Sequence, residues 1–207
     1  MRYFRAGNGD IPNLDNTADL NGVVCLGSIH STYDNEPWMS QLCDFFKSAA
    51  DTKLKLIGIC FGHQLMNVAF GGTVTKNINH GFVFGAEDIK IDIPADMIDS
   101  GIARLLGDGT TFSMLESHGD EVTTLGNGAR LLGSSKRCVN EVVLVRDNIL
   151  TMQCHPDLTP ELMMEKIWPS ISSKGLAEEG DRELIEEGMR HLDTEKFLDI
   201  IRKFMLG

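Results

Sequence analysis

The sequence lacks a long apolar run and lacks any cluster of basic residues. No apolar stretch approaches the roughly 18 residues of a membrane-spanning helix, and the first residues lack the basic and apolar pattern of a secretory leader. The chain has 19 Lys and Arg against 30 Asp and Glu, a net charge of −11, whereas binding to nucleic acid needs clustered cations. We therefore expect neither a membrane nor nucleic acid as a partner.

Paired cysteines and metal-binding spacings are missing too. The five cysteines are odd in number, lie far apart and show no C-x-x-C pattern. This usage is typical of a reduced compartment and predicts a cytoplasmic protein without a disulfide framework or a zinc site. The histidine spacing suggests no other metal site, so we expect neither a metal nor a cofactor.

What is present is an ordinary globular composition. The 207 residues are 42% hydrophobic and 24% charged, which is enough for one sizeable core and short for two. The sequence therefore predicts a single domain over residues 1–207.

The hydrophobic pattern predicts the α/β fold class. Short apolar strands alternate with amphipathic helices in the first part of the chain, which indicates a parallel sheet covered by helices on both faces. The middle part alternates or runs apolar between turn residues, which favours antiparallel strands and so a mixed sheet. The predicted strand segments are 22–28, 54–59, 82–94, 110–125, 129–135 and 141–156, and the predicted helices are 36–50, 62–72, 159–168, 181–192 and 194–205.

The segment "GICFGHQ", residues 58–64, places Cys60 between a buried strand and a helix. Unpaired N–H groups at a helix N-terminus stabilise negative charge and so favour a reactive thiolate. Gly58 and Gly62 flank the cysteine as the glycines do in a G-x-S-x-G nucleophile elbow. From this stretch alone, an inert buried thiol is an equally good interpretation.

A histidine is expected at the same rim of the sheet. In open parallel sheets the functional loops lie at the carboxyl ends of the strands, and both the elbow and "CHPD" (154–157) follow strands. A thiol and an imidazole together can act as a nucleophile and a general base. Asp157 is placed to orient the ring of His155.

The motifs "GICFGHQ" and "QCHPD", with "GVVCLGS" and "SHGD" before and between them, resemble those of the class I glutamine amidotransferases. The resemblance implies a flavodoxin-like fold with a central, mostly parallel mixed sheet flanked by helices and an antiparallel excursion. It implies Cys60 as the nucleophile, His155 as the base and Asp157 in the place of the family's usual Glu.

The same resemblance implies the remaining parts of the site. The backbone N–H groups of Gly27 and Phe61 would form the oxyanion hole. Gln64, Gly119 and Asp120 would hold a small γ-glutamyl substrate.

The family's first strand and helix are apparently absent, because the chain begins at "RYFRAGNGDIP". On the flavodoxin-like strand order, we expect this to leave a central slot beside strand 22–27, between it and the next strand. Unpaired buried backbone groups cost about 1–3 kcal/mol each, so either the sheet closes up or another segment fills the slot. We expect residues Tyr3–Arg5 to pair with 22–27, or a second copy of the chain to do so, which would make self-association possible.

Three functions remain open on the sequence. The chain looks most like stand-alone family members such as γ-glutamyl peptidases, which would hydrolyse a γ-glutamyl amide through a thioester acyl-enzyme. The alternatives are a glutaminase subunit that delivers ammonia to a separate synthase chain, and a catalytically inactive binding domain. The intact Cys60, Gln64 and His155 weigh against the inactive domain.

Overall fold

A mixed seven-stranded sheet forms the centre of the computed structural model, which describes residues 1–177 and 182–207. The strand order is β1-β2-β9-β8-β7-β4-β5, and β3 and β6 form a separate two-stranded sheet. The strands are β1 (Gly22–Cys25), β2 (Lys55–Ile59), β3 (Thr73–Lys76), β4 (Val83–Ile91), β5 (Thr111–His118), β6 (Asp120–Thr124), β7 (Ala129–Ser134), β8 (Val142–Val145) and β9 (Ile149–Met152).

The sheet confirms the α/β class and the mixed pairing that the sequence predicts. Parallel pairing is confined to β1, β2 and β9, with Val24 opposite Ile57 and Gly58 opposite Thr151. Every pairing from β9 outward is antiparallel, so the antiparallel part is larger than expected.

Helices cover both faces of this sheet. On one face α2 and α3 pack through a cluster that includes Phe46, Leu65 and Met66. On the other face α4 and α8 pack through a cluster that includes Leu106, Phe197 and Met152. The helices are α1 (Leu14–Thr17), α2 (Pro37–Ala50), α3 (Phe61–Ala69), α4 (Gly101–Leu106), α5 (Pro160–Leu162), α6 (Trp168–Ser173), α7 (Arg182–Gly188) and α8 (Thr194–Leu206), with 3₁₀ turns at Ala6–Asn8 and Ala95–Met97. The helix predicted for 181–192 begins at a residue outside the described ranges.

The expectation of a central slot is wrong. β1 and β2 pair directly along Gly22–Cys25, so no strand position lies between them. Tyr3–Arg5 form no strand, because the carbonyl of Arg5 closes a local turn by accepting the N–H groups of Asn8 and Asp10. Ala6 and Ile11 instead anchor this segment against the cluster under α2.

A π-helical turn at Met163–Ile167 joins α5 to α6. The N–H of Trp168 bonds the carbonyl of Met163, five residues back, and Pro169 follows immediately. Proline has no N–H and clashes with the carbonyl four residues earlier, so a regular α-helix cannot run through this point. The wider turn carries the chain past Pro169 into α6.

The turn from β2 to α3 is sharp, as the sequence predicts. Cys60 has φ +51° and ψ −106°, a left-handed conformation that side chains rarely adopt. The turn needs glycine on both sides, since a Cβ on Gly58 would lie 2.8 Å from the backbone of Gly62. A Cβ on Gly62 would lie 2.1 Å from the carbonyl oxygen of Cys25. Close backbone approach therefore holds Cys60 in its strained position.

We expect Gly62→Ala to destabilise the fold, because the new methyl group overlaps the backbone of β1. Overpacking of this kind typically costs about 1–3 kcal/mol, measured as the free energy of unfolding in denaturant. Gly101→Ala is the matched control, since Gly101 also lies in the first turn of a helix and a Cβ there meets nothing within 4 Å. Equal midpoints for the two variants would contradict the close approach.

Candidate active site

A cavity of about 560 Å³ opens where β1, β2 and β9 end. The loop after β1, the Cys60 turn, the β5–β6 junction (residues 117–120) and the segment after β9 all line it. The structure thus brings together seven of the eight predicted site residues as lining residues: Gly27, Cys60, Gln64, Gly119, Asp120, His155 and Asp157. Phe61, the eighth, follows Cys60 as the first residue of α3.

Cys60, His155 and Asp157 form a connected set. His155 Nδ1 donates to Asp157 Oδ1 over 3.0 Å, and the imidazole also interacts electrostatically with the sulfur of Cys60. The backbone fixes both ends of this set, because the N–H of Cys60 bonds the carbonyl of Met152 and the N–H of His155 bonds that of Leu115. Pairing of β2 with β9 therefore delivers the thiol and the imidazole to one place.

The electrostatics of the set favour a charged imidazole. Burial alone would lower the pKa of His155, but the hydrogen bonds and negative charges of Asp157 and Cys60 outweigh it and raise the pKa to about 10. An imidazolium beside a sulfur favours the thiolate, which is the nucleophilic form of cysteine.

Donors for an oxyanion lie beside the sulfur. A Cβ built on Gly27 would come within 3.9 Å of Cys60 Sγ and 3.2 Å of His155 Cε1, so the backbone of Gly27 borders both groups. Phe61 begins α3, and the first N–H groups of a helix have no acceptor within it. Both positions are suitable for stabilising negative charge near Cys60.

Gln64 and His118 both contact the backbone of the β5–β6 junction. Gln64 Nε2 donates to the carbonyl of Asp120 over 2.9 Å and to Gln153 Oε1 over 3.0 Å. His118 Nδ1 lies 2.9 Å from the same Asp120 carbonyl. The amide nitrogen of Gln64 is therefore engaged with protein, and its contact with the junction is a positioning one.

Ser31 and Tyr33 are site residues that the sequence reasoning missed. The hydroxyl groups of Ser31 and Tyr33 donate to the two carboxylate oxygens of Asp120 over 2.5 and 2.9 Å. A carboxylate can accept about four hydrogen bonds, so these two contacts leave Asp120 able to accept others. The only sequence signal was that their loop follows β1, at the rim where functional loops collect. His30, which is exposed, also lines the cavity.

The described ranges contain no helix long and apolar enough to cross a membrane. The same ranges contain no group of three or more His, Cys, Asp or Glu side chains arranged to hold a metal ion. All five cysteines are free thiols.

Residues 9–169 match the family model of glutamine amidotransferase class-I. The chain therefore belongs to the class I glutamine amidotransferase family.

Particular members of this family can be compared in sequence. The chain is 30% identical to γ-glutamyl peptidase 2 of Arabidopsis thaliana over 210 residues, covering 99% of this chain and 81% of the peptidase. It is also 30% identical over 144 residues to a GMP synthase (glutamine-hydrolyzing) of Brucella melitensis, covering 68% of this chain and 26% of the synthase.

A solved structure shows the same fold. The crystal structure of a glutamine amido transferase from Methylobacillus flagellatus superposes with a TM-score of 0.75 at 23% identity, covering 100% of this chain and 81% of that protein.

We expect Asp157→Asn to lower the pKa of His155 below its value of about 10, because the variant removes a charge and a charge-assisted hydrogen bond. NMR titration of the His155 ring measures this. A folded-state pKa raised above 6.5 stabilises the fold fully below pH 6.5, and this contribution is lost as pH rises through about 10. In the variant this contribution should be smaller, and its loss should be complete at a lower pH.

The matched control is Asp34→Asn, which removes a carboxylate beside the exposed His30, 3.2 Å away. It should leave the His155 titration unchanged. An Asp157→Asn protein whose His155 titrates as in the wild type would contradict the assignment.

Proposed function

We propose that this chain hydrolyses the amide bond of γ-glutamyl peptides with Cys60 as the nucleophile. The observation that carries the proposal is the position of His155, which is hydrogen-bonded to Asp157 and borders Gly27 together with Cys60 within the cavity. Family membership supports a γ-glutamyl amide as the substrate, and the similarity to a γ-glutamyl peptidase supports water as the acceptor.

In the proposed mechanism the Cys60 thiolate attacks the γ-carbonyl carbon, and the N–H groups of Gly27 and Phe61 stabilise the resulting oxyanion. His155 Nε2 then gives its proton to the departing amine, so the C–N bond breaks and a thioester remains. Neutral His155 next takes a proton from water as the water attacks the thioester. Collapse of this intermediate releases glutamate and restores the thiolate and the imidazolium.

The wall of the cavity on the side of His155 suggests the chemistry of the leaving group. Because His155 protonates the leaving amine, the leaving group lies on its side of the cavity, where the segment after Asp157 forms the wall. That wall is mainly apolar, with Leu158, Ile167 and Ile171, and Lys174 is the only Lys or Arg among the described lining residues. A leaving group with an apolar part and a carboxylate matches these surroundings, and an ammonia molecule does not use them.

The second candidate is a glutaminase that delivers ammonia to a synthase chain. The similarity to a GMP synthase is the observation that favours it. Purified chain incubated with glutamine or with a γ-glutamyl dipeptide separates the two candidates. We expect faster glutamate release from the dipeptide, and rapid ammonia release from glutamine only when a synthase is added would favour the alternative.

Cys60→Ala and Cys60→Ser should abolish dipeptide hydrolysis, with a loss of at least about a thousandfold in kcat, because no thioester can form. A glutamine-like diazoketone should label Cys60 alone among the five cysteines, which peptide mass spectrometry can show.

Cys154→Ala is the matched control. Cys154 is also a free thiol near the site, but it is fully buried, and burial raises its pKa well above the usual range. It should remain unlabelled, and its removal should leave Cys60 labelling intact. Activity in Cys60→Ala would overturn the proposal.

Lys174→Met should raise KM for a γ-glutamyl dipeptide with a free C-terminal carboxylate by about two- to fivefold, the range of an exposed ion pair. The same dipeptide with an amidated C-terminus should show no such change. Lys166→Met, on the π-helical turn and outside the cavity lining, is the matched control. Equal effects on both dipeptides would remove Lys174 from the leaving-group side.

A further inference from the structure

Two carboxyl groups are buried behind the candidate site. Glu116 on β5 and Glu141 just before β8 both have no solvent exposure. Among the described residues no Lys or Arg forms an ion pair with either. Ser135 Oγ donates to Glu141 Oε1 over 2.7 Å, and His118 Nε2 lies 3.5 Å from Glu116 Oε2. A buried carboxylate without a cation is costly, so the protonation of this pair needs an explanation.

The tautomer of His118 indicates where a proton lies. His118 Nδ1 faces the carbonyl oxygen of Asp120, which only accepts, so Nδ1 carries the hydrogen. Burial lowers the pKa of His118 to about 4, so the ring is neutral and Nε2 holds a lone pair. This lone pair faces Glu116. A carboxylate there would repel it, whereas a protonated Glu116 can donate to it.

The two carboxyl groups also act on each other. Burial first, and then the charge of Glu141, raise the pKa of Glu116 well above its ordinary range. Burial raises the pKa of Glu141 to about 7. Neighbouring carboxyl groups cannot both ionise easily, so the pair retains one proton around neutral pH.

No described Lys or Arg forms an ion pair with Glu116 that would balance its negative charge if it ionised. Glu87 on β4 is already paired with Arg137 at 2.6 Å. Glu116 and Cys60 interact electrostatically, so ionised Glu116 would oppose the thiolate. The titratable groups facing Glu116 are Cys60 from the elbow, Glu87 from β4, Cys138 and Glu141 from the segment before β8, Cys154 after β9, and His118 on its own strand.

We propose that Glu116 and Glu141 share one proton and together form a positioning element of the active site. The neutral Glu116 keeps His118 in the tautomer that anchors the Asp120 carbonyl, and so holds the β5–β6 junction in place. It also keeps negative charge away from Cys60. This inference rests on the proposed function, in which Cys60 is the nucleophile; the junction lines the same cavity.

A consequence is an alkaline fall in the reactivity of Cys60. Loss of the shared proton puts a negative charge near the sulfur and removes the donor that faces His118 Nε2. Since the pKa of each buried carboxyl is raised, the stabilisation of the neutral form is present at low pH and is lost as pH rises through those values.

The test compares Glu116→Gln with Glu141→Gln in two pH profiles, kcat/KM for a γ-glutamyl dipeptide and the rate of Cys60 alkylation by iodoacetamide. The side chain of Glu116→Gln is neutral at every pH. This variant should keep kcat/KM at neutral pH within about threefold of the wild type, and its Cys60 reactivity should no longer fall at alkaline pH through ionisation of residue 116. Glu141→Gln removes the neighbouring charge that raises the pKa of Glu116, so the fall should move to lower pH by about one unit. A purely structural role would not shift the two variants in opposite directions.

Infrared spectroscopy tests the wild type without any substitution. A protonated carboxyl band should be present at neutral pH and should disappear over the pH range in which alkylation slows. Absence of that band, or identical alkylation profiles in the wild type and Glu116→Gln, would overturn the proposal. If the chain releases no glutamate, the proposed function fails, while alkylation and infrared data still decide the shared proton.

Discussion

The contact between α3 and β1 at Gly62 is the constraint on which the active site depends. The absence of a side chain at Gly62 lets the helix start directly over the carbonyl of Cys25, and this approach leaves Cys60 no conformation except a left-handed one. The strain at Cys60 is offset by the packing of Leu65 and Met66 from α3 against the sheet. The position of the sulfur is thus a property of the core and not of a loop.

Burial and neighbouring charges give the ionisable groups of the site different protonation states. His155 remains charged because two anionic partners outweigh its desolvation, whereas His63 has its pKa lowered to about 3 by burial and the nearby His118, and donates or accepts only locally, 2.8 Å from Thr151. Glu116 forms no ion pair with any described Lys or Arg, and burial raises its pKa well above the ordinary range. Burial and neighbouring charges therefore favour a cation at His155, a neutral imidazole at His63 and a neutral acid at Glu116.

The elbow and the α/β class could be predicted from sequence because they depend on local signals: glycine spacing around Cys60 and short apolar runs between helices. The position of β1 beside β2 could not be predicted, because strand order depends on which strand edges pair. The flavodoxin-like order that we assumed places another strand position between them. The contacts of Ser31 and Tyr33 with Asp120 span 89 and 87 positions. The burial of Glu116 was equally hidden, because its residue type favours the surface.

The π-helical turn at Met163–Ile167 has a consequence for how the family can vary. A π turn holds one residue more than an α turn, and each residue advances a helix by about 100°. Loss of a single residue there would change the helical phase, so that Leu158 and the side chains of α6 could no longer face the same space. Insertion or deletion of one residue at this turn would therefore reshape this wall of the cavity while leaving the strands that precede Cys60 and His155 untouched.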